Sequence, residues 1–324
     1  MNQDLSLASS QSTPADTLHA LAQSDDEALR AAVALNPVSA RHTLDLLSQD
    51  KSAWVAGLVE TRAQREASLL SIHPSAIIHP DAQLGENVTV GPFTIIHANV
   101  RIGANTVIGS HCELGHPVFR GSSSPLEIGP DSYIRSHSLF YEGSSFGERL
   151  VTGHRVTVRE GTRAGANLQI GTLSDIQGTC EIGDYVRFHS NVHIGQHSKI
   201  GNYVWIFPYV VLTNDPHPPS DVMMGATVKD FVAIATMSVV LPGVTIHEGV
   251  LIGAHSSVAR DVEADMVAVG APAKVVCPTS QVKLRDGSGQ PAYPWRRHFH
   301  RGYPDAAVAQ WLAEFPPTPQ QAAD

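Results

Sequence analysis

Histidine is the side chain whose proton comes and goes near neutral pH, and this chain carries 17 of them in 324 residues. His217 sits among prolines in LTNDPHPPSD (212–221). Proline stiffens such a stretch, which suits a held proton acceptor. His197 and Asp215 are 18 residues apart, as are Gln196 and Asn214. His111 and His116 are five apart, and His189, His193 and His197 step by four. The three cysteines, Cys112, Cys180 and Cys277, lie far apart and include no CxxC pair. That argues against a disulfide framework and a zinc ribbon and fits a reducing compartment.

A repeat must position these groups. Counting in sixes from Ile72, the positions Ile78, Leu84, Val90, Ile96, Ile102, Ile108 and Leu114 are all aliphatic. The phase breaks in 115–127, resumes at Ile128, breaks again in 213–227 and continues from Val228 to Val258. Of 29 such positions 28 are apolar, Thr152 being the exception, where composition alone would give about half. Period six fits neither an α-helix nor an ordinary strand. It fits a three-sided coil in which each hexad supplies a short strand and a corner, three hexads making one turn. Parallel coils stack at about 4.8 Å, so nearly ten turns make a prism roughly 45 Å long. Residues 18 apart then share a face, which would put Asp215 over His197, where a carboxylate could orient the imidazole, and Asn214 over Gln196. The same four residues could equally be a polar outer wall.

Composition narrows the functions. Net charge is −9, with 16% charged and 42% apolar residues; the acidic balance is poor for nucleic-acid binding. The most apolar windows, such as 204–212, fall well short of a membrane span, and no N-terminal stretch reads as a signal peptide. A cytoplasmic protein without a membrane partner is expected.

The ends leave the period. Residues 15–70 read as helices, with Asp25 and Asp50 opening similar stretches and a break at Asn36-Pro37. The rhythm resembles a leucine-rich-repeat variant over about one and a half units, or a plain small bundle that caps the coil or docks a partner. Residues 277–324 hold a Gly/Pro-rich link, the dense run WRRHFHRGYP (295–304) and a short helix over 305–315. That run could grip a phosphate or nucleotide, or pack its aromatics along the prism wall.

The hexad repeat, one protruding loop and the terminal VGAPAKVV (269–276) resemble the hexapeptide-repeat acyltransferases over residues 72–276. The resemblance implies a mainly β fold: a left-handed parallel β-helix over 71–276 with loops at 115–127 and 213–227. A small α-helical domain (1–70) precedes it and a C-terminal extension (277–324) follows. It also implies homotrimers with sites between neighbouring prisms and acyl-coenzyme A along the last coils. Lys274 would lie near the coenzyme, and Ala235 and Gly253 would leave room for its pantetheine arm or merely serve the corners. The first coils, SIHPSAIIHPDAQLGENVTVGPFTIIHANVRIG, look like the start of UDP-N-acetylglucosamine acyltransferases. Their basic His falls in a segment like DIQGTCEIGD (175–184), where this chain has Gly178. The loop offers a replacement. Its TND resembles acetyltransferases of nucleotide-linked amino sugars, and its His-Pro resembles galactoside and maltose O-acetyltransferases.

The expected function is acetyl transfer from acetyl-CoA to a sugar, a nucleotide-linked amino sugar before a sugar hydroxyl. His217 is the expected base, with His197 and Asp215 as the other catalytic pair and Asn214 and Gln196 toward substrate. No metal is expected. γ-Type carbonic anhydrases share the prism, but the residue two coils before His111 is Ser75 rather than His, and histidines stepping by four do not converge on one face. A prism that only mediates assembly is the remaining alternative.

Overall fold

The computed structural model describes residues 3–68, 72–119 and 124–315. The chain divides into two compact units between His73 and Pro74; the expected boundary at 70/71 lies outside the described residues.

The first unit contains helices α1 (Gln3–Ser9), α2 (Ala15–Leu21), α3 (Glu27–Leu35), α4 (Arg41–Leu47) and α5 (Ala53–Ser68). The Asp26 carboxylate caps α3 by accepting the Ala28 N–H at 2.9 Å. Leu18, Leu29, Val33, Leu47 and Val55 form its core. The two similar stretches are tied to each other: the buried Arg30 guanidinium spans both oxygens of Asp50 (2.7 and 3.1 Å) and donates to the Ser24 and Asp25 carbonyls.

The second unit is a three-sided parallel β-solenoid of about ten turns. Among the described residues its faces hold ten, nine and eleven strands. Ile77–Ile78 opens the first face, Gln83–Leu84 the second and Thr89–Val90 the third. Partners lie 18 residues apart, as in Asp175 opposite His193. The repeat positions from Val90 to Val258 are buried, apart from the half-buried Ala164. Thr152, the exception, is buried with its hydroxyl satisfied: it accepts the Arg135 N–H at 2.9 Å.

A second inward ladder lies two residues before each repeat position. Val, Leu, Ala, Ser, Thr and Cys fill it, and the serine hydroxyls donate to corner carbonyls, as Ser198 does to Gly195 at 2.7 Å. Cys112 and Cys180 belong to this ladder, and burial pushes the Cys180 thiol up to about 11. These two cysteines are packing residues.

The two phase breaks are insertions. Arg101 pairs with Glu127, 26 residues on, and Asn202 meets Asp230, 28 residues on. The tail straps the third face. The Trp205 indole donates to the Tyr303 hydroxyl (2.7 Å), the Trp295 indole to the Phe231 carbonyl (3.1 Å) and the Arg187 guanidinium to the Gly302 carbonyl (3.2 Å). Trp311 of helix α6 (Asp305–Glu314) is buried against Tyr203 and Phe231. The aromatic run therefore packs along the wall rather than presenting an open nucleotide grip.

Candidate active site

The outer surfaces of the three faces differ in kind. The second carries exposed ion pairs such as Arg101–Glu127 (2.7 Å) and Lys199–Glu181 (3.6 Å), the solvated pattern of an outer wall. The third is covered by the tail along its later coils. There His189 stacks on Phe207, its pKa lowered by burial and then by Arg187. A cavity of about 230 Å³ lies between Trp205, Phe207, Ala233 and the tail's Tyr293, Trp295 and Phe299. The first face gathers interacting titratable groups with access to solvent.

Two clusters stand on that face. At its early end, Glu113 Oε1 meets His97 Nε2 at 2.9 Å and His116 Nδ1 at 2.7 Å. Tyr141 sets the edge of its ring against His116, and the Arg159 guanidinium lies over Tyr141. Farther along, Asp175 Oδ2 is 3.2 Å from His193 Nδ1, and the Gln177 amide donates to the same oxygen. Burial alone would raise the Asp175 carboxyl. The hydrogen bonds from His193 and Gln177, with the charges of His193 and Arg159, outweigh it and hold the carboxyl below its ordinary value.

The second loop leaves from the same face, at Leu212. The Met224 N–H closes it on the Asn214 carbonyl at 2.8 Å, and nine residues, 215–223, stand out between them. Register therefore ends at Asn214, and the expected stack of Asp215 on His197 does not form. Gly225 occupies the place over His197, close enough that a Cβ there would strike the His197 carbonyl. Asp215 instead organises the loop. Its carboxylate accepts the Ser220 hydroxyl (2.8 Å), the His217 N–H (3.1 Å) and the Ser220 N–H (3.2 Å). His217 is exposed, and its ring makes no hydrogen bond among the described residues. His197 is exposed at a corner, and Gln196 is half-buried beside it.

The coenzyme candidates separate. Lys274 is exposed on Lys274–Pro278, the strand that turns back antiparallel on Met266–Val269. Ala235 donates its N–H to the Ile252 carbonyl at 2.9 Å. At Gly253 the next coil comes close. A Cβ there would lie 2.5 Å from Val269 Cγ1, so the side chain of the next coil fills the space.

Gly178 explains the missing base. Its φ is +93°, and a Cβ would lie 2.5 Å from the Glu160 carbonyl oxygen, so this backbone has no place for a histidine. The histidines five apart also diverge. His111 stacks between Phe93 and His137 at a corner, whereas His116 turns to Glu113.

Sequence reasoning missed both clusters. Asp175 and His193 are 18 apart and pair by the rule that failed for Asp215. No spacing rule could have found the trio of His97, Glu113 and His116, because an irregular strand builds it.

The pattern described as bacterial transferase hexapeptide (six repeats) matches residues 81–116. An acyl-[acyl-carrier-protein]--UDP-N-acetylglucosamine O-acyltransferase of Burkholderia orbicola is 34% identical over 199 residues, covering 61% of this chain and 70% of that protein. The chain belongs to the hexapeptide-repeat acyltransferases. A second relative of the same name, from Pseudomonas entomophila, is 32% identical over 222 residues, covering 63% of this chain and 72% of its own length. A third, from Saccharophagus degradans, is 33% identical over 144 residues, and there the chain spans about half of the relative, 48%.

Proposed function

We propose that this hexapeptide-repeat protein transfers an acyl group from a thioester donor to a nucleotide-linked sugar. The observation that carries the reading is the 34% identity, over 70% of its length, with a relative named for acyl transfer to UDP-N-acetylglucosamine. We take acyl-coenzyme A as donor, acetyl-CoA first, with Lys274 toward the coenzyme. Acyl carrier protein, named in the relatives, is the competing donor.

The step is direct. A sugar nitrogen or oxygen attacks the thioester carbonyl, the thiolate leaves, and an amide or ester forms. A base takes the attacking group's proton, and a backbone N–H steadies the oxyanion. His217 is the base in this reading, and the Asp215 lock fixes the loop that carries it. The loop's likeness to amino-sugar acetyltransferases favours an amine acceptor, and the relatives' names favour a hydroxyl. The site lies between prisms of a homotrimer, which gives the exposed His217 a neighbouring wall to face.

A second reading places the base at His193, because a carboxylate 3.2 Å from an imidazole nitrogen orients the ring and supports its positive charge. Thiol release from acetyl-CoA with amino and hydroxy nucleotide sugars, and with acylated carrier protein, tests the proposal. His217→Ala should lower kcat by roughly 10²–10⁴-fold while coenzyme A still raises the melting temperature. If His193→Ala takes the loss instead, the second reading holds. Absence of transfer with every donor and acceptor, or a monomer in sedimentation, would overturn the assignment.

A further inference from the structure

We infer that His97, Glu113 and His116 form a binding site for a divalent transition-metal ion. One ring nitrogen each from His97 and His116 and a Glu113 carboxylate oxygen lie within 4.8 Å of one another. Two imidazoles and one carboxylate make a mixed nitrogen and oxygen donor set of the kind that takes Zn²⁺, Co²⁺ or Fe²⁺.

The backbone departs from the repeat to build this trio. On the neighbouring coil, Leu139 and Phe140 pair with Glu113 and Leu114, but Tyr141 pairs with His116, so Gly115 is an extra residue. Gly115 has φ +79°, and a side chain on it would run into Val100. In an unbroken hexad the outward place after Glu113 would fall to residue 115, and residue 116 would turn away. The bulge moves His116 into that place, directly after His97 in the line of outward residues, with Glu113 beside both.

The rest of the site is compatible with an ion. The three side chains are each about one-third exposed, at 31, 34 and 39%, which leaves an approach and open coordination positions. Glu113 Oε1 takes both histidine contacts, and Oε2 makes no hydrogen bond among the described residues. Burial would raise the Glu113 carboxyl, but His116 and His97 hold it below its ordinary value, so it is ionised at neutral pH. A neutral imidazole that turns a nitrogen to the metal carries its single proton on the other nitrogen. The cluster lies three coils from Asp175, roughly 14 Å, and stands on its own geometry whatever reaction the prism performs.

The test uses untagged full-length protein, stripped with chelator and titrated with Zn²⁺ by calorimetry and with Co²⁺ by visible absorption. Wild type should bind one tight equivalent per chain. His97→Ala, Glu113→Gln and His116→Ala should each weaken it by more than the roughly tenfold that even an outer partner's loss costs. His111→Ala should leave it unchanged. Glu113→Gln keeps the shape and an accepting oxygen, and its melting temperature checks the fold. Co²⁺-shifted ring-proton resonances from two histidines in the wild type supply a readout that needs no variant. Absence of a tight equivalent, or one that survives Glu113→Gln and His97→Ala and so belongs elsewhere among the 17 histidines, would overturn the site.

Discussion

Asp175 and His193 stand one coil apart on the same outer line, with Oδ2 3.2 Å from Nδ1. The pair holds the Asp175 carboxyl below its ordinary value. Its stabilisation is therefore complete above about pH 4, where the unfolded carboxyl is ionised, and is lost as pH falls through the lower folded value. Both side chains are about a third exposed, so screening limits the effect to about 1 kcal/mol or less. Asp175→Asn should lower the melting temperature slightly at pH 7, and the difference from wild type should vanish in acid, which flattens the acid limb. An unchanged acid limb would show that the pair contributes nothing to folding.

Gly178→His restores the residue type that related acyltransferases use as a base, and it should fail as a rescue. The φ of +93° and the Glu160 carbonyl 2.5 Å from a would-be Cβ leave a side chain strained, at a cost of about 1–3 kcal/mol. The expected outcome is a lower melting temperature and no recovery of thiol release in a His217→Ala background. Recovery would mean that this corner adapts.

Trp311→Ala should release the tail without unfolding the prism. Trp311 is 3% exposed and sits against Tyr203, Phe231, Trp295 and Tyr303. Truncating such a side chain costs about 3–5 kcal/mol and leaves the strap the three hydrogen bonds above and the ring contacts of Trp295, Phe299 and Tyr303. Limited proteolysis should cut the variant between Val282 and Trp295 while the coil survives as one fragment. Resistance equal to wild type would show that the other aromatics hold the strap alone.

The coil was legible because one apolar residue in six must face inward at every turn, and from Val90 to Val258 those positions lie inside the prism. The second ladder was hidden. Ser, Thr and Cys read as surface residues until corner carbonyls are placed beside them, as for Ser198 and Gly195. Stacking arithmetic held within uninterrupted coils and failed one residue past Asn214, since an insertion shifts everything after it. That separates His193, whose partner Asp175 lies 18 residues back in an uninterrupted coil, from His197, whose supposed partner left for the loop. Gly253 shows another ambiguity: a small residue marks a close approach, and one group that approaches it is Val269 of the same chain. The trio around Glu113 depends on a bulge at Gly115, and no periodic rule predicts its own exceptions.

The last prediction concerns the loop. Asp215 accepts from the Ser220 hydroxyl, the His217 N–H and the Ser220 N–H, so one carboxylate fixes where His217 leaves the backbone. The Ser220 hydroxyl, ahead of the two backbone bonds, holds that carboxyl below its ordinary value. Loop order is then complete above about pH 4 and fades as pH falls through the lowered value. Asp215→Ala removes all three bonds at the surface, so the melting temperature should stay near wild type. If His217 is the base, its reach becomes imprecise and kcat should fall about tenfold or more, misplacement by an ångström being worth up to about a hundredfold. Asp215→Asn keeps one oxygen for the backbone N–H groups and should recover part of the rate, and Ser220→Ala should lose less than Asp215→Ala. Backbone amide exchange across 215–224 supplies the structural readout, faster in Asp215→Ala and intermediate in Asp215→Asn. Faster exchange with undiminished turnover would separate the loop's order from catalysis, and the base would then be sought at His193.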